Sequence, residues 1–379
     1  MWLLRQLLSP ALVLVGHGAL TLAATALPMA QLFDVVTDST LNGNCAAYST
    51  ATLDQLASDA LKLAEAGSKA CDSYIASDPA MVRLFDAFFQ GTDATAVAGM
   101  KLWYDYISNW LQTGGALSGQ TKLPLLFCGD HSIRQTMSSP LRDENGNTHQ
   151  NAQKTGDTLI VQDSYMKDWW KQIAVAQQVV LTSVYPYWVP QQLVYFFDQK
   201  KGSSVTDYQC ADGSLGYTIA QGRGSVTLCQ SSFSAGGNLG SVAPNPIPAK
   251  DFVNGNPPSN QAAQAIDNIM PAAATVFHEM LHLFSDNKFV PTTGEEYNAW
   301  RIMGKMVRDD NTYFTGPNSV DNAESYTFVA CVSLFCLFSF ICPFCSAANG
   351  LPRGAAYYTQ NMPSNGKVVE YYTGYCSTE

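Results

Sequence analysis

Residues 271–285 read PAAATVFHEMLHLFS, and the rest of the chain is best read outward from them. Val276, Met280, Leu281 and Phe284 recur at helical spacing. Pro271 suits the first turn of a helix, where its missing N–H is not needed. A helix from 271 to about 285 packs those four side chains inward and stacks His278 and His282 on another face. Two imidazoles so related can both reach one tetrahedral zinc ion about 2.0–2.1 Å away. Glu279 points beside such an ion, where it can take a proton from a metal-activated water and pass it to a leaving amine. The rival reading is a helix with two surface histidines. Phe277, Met280, Leu281, Leu283 and Phe284 around the motif argue against it.

One zinc per chain needs a third protein ligand and an open position. No histidine follows His282, and His131 and His149 lie in polar, loop-like stretches that read as surface. A carboxylate is therefore expected. Asp286 lies too far from His278, about 12 Å along a continuing helix at about 1.5 Å per residue. Glu295 and Glu296 in TTGEEYNAW remain, with Glu324 in DNAESY. A short connection can bring 291–294 back over the helix, and Gly294 gives the freedom to aim the next carboxylate. The expected ligand is thus Glu295 or Glu296, with the choice between them open.

Upstream, 50–76, 79–90 and 95–112 repeat apolar positions at helical spacing and are broken by Gly91 and Gly114-Gly115. Beyond 122 the pattern changes. LPLLFC at 123–128 and LVYFFD at 193–198 read as buried strands, and 216–219 with 225–229 flank a Gly-rich turn as a hairpin. Residues 234–260 read as a loop and 261–269 as a short helix. The uncharged run 326–345 is long enough to span a bilayer, but Pro343 and four cysteines favour a buried helix followed by a strand; a mis-spliced transcript is a further alternative. The fold class expected is α+β, with a helical half over 45–120, a sheet and catalytic half over 121–345, and a tail over 346–379.

With 46% hydrophobic and 14% charged residues among 379, the chain can bury a large core. A net charge of -10 disfavours nucleic acid and anionic membrane as partners. The first residues place Arg5 before an apolar run ending in small residues, the layout of a secretory signal over 1–30 with cleavage near 26–30. Ten cysteines then suit an oxidising compartment, mostly as disulfides. The mature chain, 31–379, is expected to be one secreted, monomeric domain, free of the membrane and acting on polypeptides.

The HEMLH run, followed further on by Asn322-Ala323-Glu324-Ser325-Tyr326, resembles the deuterolysin and peptidyl-lysine metalloendopeptidase group, the aspzincin-type zinc metallopeptidases. The likeness is specific over 270–330 and looser over 45–270, where 217–229 is similar to the family's edge strand. It implies a zincin-like fold, a mixed sheet above the active-site helix, and zinc-dependent endopeptidase activity. Where the family carries Asp-x-x-Tyr-Gly, this chain reads Gly294-Glu295-Glu296-Tyr297-Asn298. The resemblance gives Tyr297 the role of hydrogen-bonding the developing oxyanion and Glu324 that of an acid in the substrate pocket. The second pocket acid of lysine-specific relatives falls on Thr327, so lysine specificity is not implied. Two other readings stay open: a gluzincin arrangement with Glu324 as ligand, and a secreted zinc-binding protein or surface antigen with little proteolysis.

Overall fold

Side-chain caps start the long helices. Ser49 accepts the Thr52 N–H ahead of α2 (Thr50–Ile75), and Asp93 accepts the Ala96 N–H ahead of α4 (Ala94–Thr113). Between them lies α3 (Pro79–Phe89), and before them α1 (Met29–Leu32) and the short strand β1 (Asp34–Val35). The computed structural model describes residues 25–151, 156–233, 270–291, 294–303, 308, 311–338, 351–352 and 376–377. Strands β2 (Leu125–Phe127) and β3 (Ile133–Arg134) follow, then α5 (Ser164–Ala176), β4 (Val184–Val189), β5 (Val194–Gln199), β6 (Gly216–Ile219), β7 (Ser225–Leu228) and α6 (Gln230–Phe233). The histidine-bearing helix is α7 (Ala272–Ser285), followed by α8 (Ala299–Ile302), α9 (Gly316–Val320) and α10 (Ala323–Phe338). A two-residue pair, β8 (Leu351–Pro352) and β9 (Cys376–Ser377), is the only part of the tail described.

The protein is thus α+β. One sheet is mixed, in the order β1-β2-β7-β6: β1, β2 and β7 run parallel, and β6 closes the edge antiparallel to β7, with Tyr217 opposite Thr227. The second sheet, β3-β4-β5, is antiparallel. Helix α7 packs beneath β6 and β7 and against α2 and α10. Val276, Phe277, Met280 and Leu281 are wholly buried, and Phe284 meets Tyr106 and Trp110 edge-on. A helix apolar on every side belongs inside a protein, so polar groups at His278, Glu279 and His282 on it need a reason.

Tyr104 joins four helices. Its ring lies over Gly67 of α2, runs parallel to Phe277 of α7 at 5.8 Å, and its hydroxyl donates to the Tyr326 carbonyl of α10 at 2.8 Å. Disulfides Cys45–Cys128 and Cys210–Cys229 tie the first sheet to its flanking loops.

Several expectations shift. The three early helices, the strands within 123–128 and 193–198, and the hairpin stand where they are expected. Pro271 sits just ahead of α7 rather than in its first turn, with ψ of 154°. Residues 27–32 pack against the domain. The Leu27 N–H donates to the Leu111 carbonyl at 2.8 Å, the Met29 N–H donates to Asp54 at 2.7 Å, and Met29 is buried. The expected helix at 261–269, the loop at 234–260 and most of the leader lie outside the described residues. Of 326–345, residues up to 338 are helical, and no described helix is long and apolar enough to cross a membrane.

Candidate metal centre

Three donor atoms converge at the middle of α7. His278 Nε2 and His282 Nε2 are 3.1 Å apart, and Glu295 Oε1 lies 3.2 Å from each. Donors about 2.0–2.1 Å from the centre of a tetrahedron stand about 3.3 Å from one another, close to this triangle. Glu295 Oε1 and His282 Nδ1 are buried with no hydrogen-bond partner. Lone pairs brought together in a dry place are costly unless a cation sits among them. This buried group of His278, His282 and Glu295 could hold a metal ion.

The neighbouring Glu296 faces the other way. Its carboxylate accepts the Tyr297 and Asn298 N–H groups at 3.1 Å each and lies 3.4 Å from the Arg308 guanidinium. Of the two glutamates left open by the sequence, the structure brings only Glu295 to the histidines. Glu324 is not in the triangle either. Its Oε2 meets His278 Nδ1 at 2.7 Å, a contact that in the neutral imidazole a metal requires keeps the proton on Nδ1 and turns the Nε2 lone pair to the triangle. Glu324 also lines the adjoining cavity, and its contact with His278 is one that sequence reading missed.

Glu279 lies buried between α7 and the edge strand, where the Thr218 hydroxyl donates to its Oε2 at 2.9 Å. Burial raises its pKa, with His278, His282 and the Thr218 hydrogen bond opposing. Burial also works against charge on His278, but Glu295 and Glu324 outweigh it and raise that imidazole well above its ordinary value. Burial would raise Glu295 in turn, yet the two histidines hold it far below the usual carboxylate range. Tyr297 donates its hydroxyl to Glu295 Oε2 at 2.7 Å, with its ring 5.7 Å from that of His278. The residue as a whole is 58% exposed, but its hydroxyl end sits among protein atoms, which together with Glu295 push the phenol's pKa up.

A cavity of 470 Å³ opens beside the triangle, lined by Leu215, Gly216, Ala274, Thr275, Glu324 and Thr327 among others. Thr218 and Gly216 escape sequence reading because only the pairing of β6 beside α7 gives them a role. The two upstream histidines divide. His149 is exposed, but His131 is buried between Phe127 and Tyr217, correcting its assignment to the surface. Neither joins the metal group among the described residues.

No family model, no curated protein and no solved structure matches this chain.

Proposed function

We propose that the protein is a secreted zinc-dependent endopeptidase of the deuterolysin type with a zincin-like fold, cleaving polypeptides as a monomer. The observation that carries the reading is the His278–His282–Glu295 triangle with Glu279 buried beside it. Two imidazoles and a carboxylate suit zinc. Zinc held there would lower the pKa of a water towards 7 and polarise the scissile carbonyl. Glu279, raised by burial and aimed by Thr218, would take the proton of the attacking water and deliver it to the leaving amine. The Tyr297 hydroxyl, now donating to Glu295, would turn to the developing oxyanion. Among the described residues strand β6 pairs with β7 on one side only, so its other edge can take an extended substrate as an added antiparallel strand. The cavity would receive one substrate side chain next to the cleaved bond.

The test is cleavage of unfolded casein by the purified protein. A chelator should abolish it and zinc should restore it, while Glu279→Gln should bind zinc and cut at least about 100-fold more slowly. Full activity in Glu279→Gln would overturn the mechanism. Stoichiometric zinc with no cleavage of any protein would favour the zinc-binding protein instead.

A further inference from the structure

Asn322 stands just ahead of helix α10 and Glu324 in its first turn, both close to the triangle and neither in it. Asn322 is fully buried. Its Oδ1 accepts the Glu296 N–H and its Nδ2 donates to the Glu296 carbonyl, both at 3.0 Å, so one side chain grips both polar groups of that backbone. The same Nδ2 reaches the Ser325 hydroxyl at 3.1 Å, which braces the amide. Glu296 is the residue next to Glu295, so the grip fixes the segment from which the carboxylate ligand projects. Two residues on, Glu324 takes His278 Nδ1 at 2.7 Å.

We infer that the start of α10 is the positioning element of the metal centre, Asn322 placing Glu295 through the backbone of Glu296 and Glu324 orienting His278. Buried Ala323 lies between them, so one rigid helix end places two of the three ligands. Hydrogen bonds behind a ligand fix its rotamer and tautomer, and losing one commonly costs about 10- to 100-fold in metal affinity. In this role Glu324 acts through His278 and is not itself a ligand. The grip of Asn322 bears on the metal centre because the residue it holds adjoins a ligand.

This inference rests on the metal-centre reading, and its readout does not depend on peptidase activity. Zinc affinity is measured by competition with a chromophoric chelator, and site geometry by the visible absorption of the cobalt-loaded protein. The melting temperature of the ion-free protein reports folding. Asn322→Ala and Glu324→Ala should each weaken zinc about 10- to 100-fold and alter the cobalt spectrum. Glu324→Gln, which keeps an acceptor oxygen, should recover most of the Glu324→Ala loss. Should an alanine variant not fold, Glu324→Asp, which withdraws the oxygen by one methylene, and Asn322→Ser take its place with the same expectation. Folded variants that bind zinc as tightly as wild type, with an unchanged cobalt spectrum, would overturn the inference alone. A wild-type protein that binds neither ion would overturn the metal-centre reading instead.

Discussion

Gly216 carries no side chain where β6 passes over Glu279. A β-carbon there would lie 2.8 Å from Thr275 Cγ2, 2.9 Å from the Thr227 carbonyl oxygen and 3.1 Å from Glu279 Oε1. The Thr227 carbonyl is backbone and cannot swing aside, so β6 itself must shift and Thr275 and Glu279 must give way around it. Gly216→Ala should therefore cost about 1–3 kcal/mol of stability and reduce peptide cleavage more than zinc binding. Unchanged cleavage in that variant would show that Glu279 has room to spare. His131 supports a second prediction at this scale. Burial holds its pKa down at about 3, against about 6.5 when unfolded, so between those values the unfolded chain binds a proton that the folded chain refuses. Stability should thus fall as pH drops from about 6.5 to about 3, with a contribution from this residue of roughly 1.4 kcal/mol per pH unit. Chemical denaturation across that range should show the slope, and His131→Gln should flatten it. The two histidines and Glu279 are legible in the sequence because four-residue spacing on a helix needs nothing distant to bring them together. Which of Glu295 and Glu296 turns inward is not legible. That choice depends on Arg308 and Asn322, which lie near Glu296 only once the chain is folded. His131 is misread as surface for the same reason, since its polar sequence neighbours say nothing of the rings of Phe127 and Tyr217 that enclose it.

Helices α2, α4, α7 and α10 meet at one contact, and Gly67 sets its spacing. A β-carbon there would fall 2.2 Å from Tyr104 Cε1 and 2.6 Å from Tyr104 Cζ. On an isolated helix, glycine to alanine gains roughly 1 kcal/mol. Here the sign reverses, because Tyr104 is buried on every side and its hydroxyl is held by the Tyr326 carbonyl. Gly67→Ala should destabilise the protein by about 2–3 kcal/mol, and displacement of Tyr104 from Phe277 should also loosen α7 and weaken metal binding. Thermal melting with zinc titration checks both, and a variant more stable than wild type would contradict the packing. The helices containing these residues are legible from apolar spacing and capping side chains. The β6–β7 hairpin is legible from its turn. Helix α5 and strand β4 are not: Trp169 and Trp170 disturb a simple apolar stripe, and Pro186 argues against a strand, yet β4 lies between β3 and β5.

At the scale of the whole molecule, the cysteines whose state is described fall into two disulfides and two free thiols. Cys45–Cys128 closes 83 residues, a constraint on the unfolded chain of about 4.6 kcal/mol, and Cys210–Cys229 closes 19, about 3 kcal/mol. Cys71 and Cys331 are free and buried. Burial pushes the Cys71 thiol up to about 12, so it stays protonated and unreactive. Iodoacetamide should label both only after denaturation, and peptide mapping that finds either one alkylated in the native protein or in a disulfide would contradict this. Two disulfides fit an oxidising compartment, and the acidic chain has the composition of a protein with a large core. These features are shared by many proteins; the three converging donors set this one apart. The most direct test is therefore metal analysis of zinc-loaded, dialysed protein together with chelator-competition affinities for Glu295→Ala and Glu296→Ala. The account predicts one zinc per chain in wild type, a loss of affinity of about 10-fold or more in Glu295→Ala, and little change in Glu296→Ala. A wild-type chain that retains no ion, or a Glu295→Ala chain that holds zinc as tightly as wild type, would contradict it.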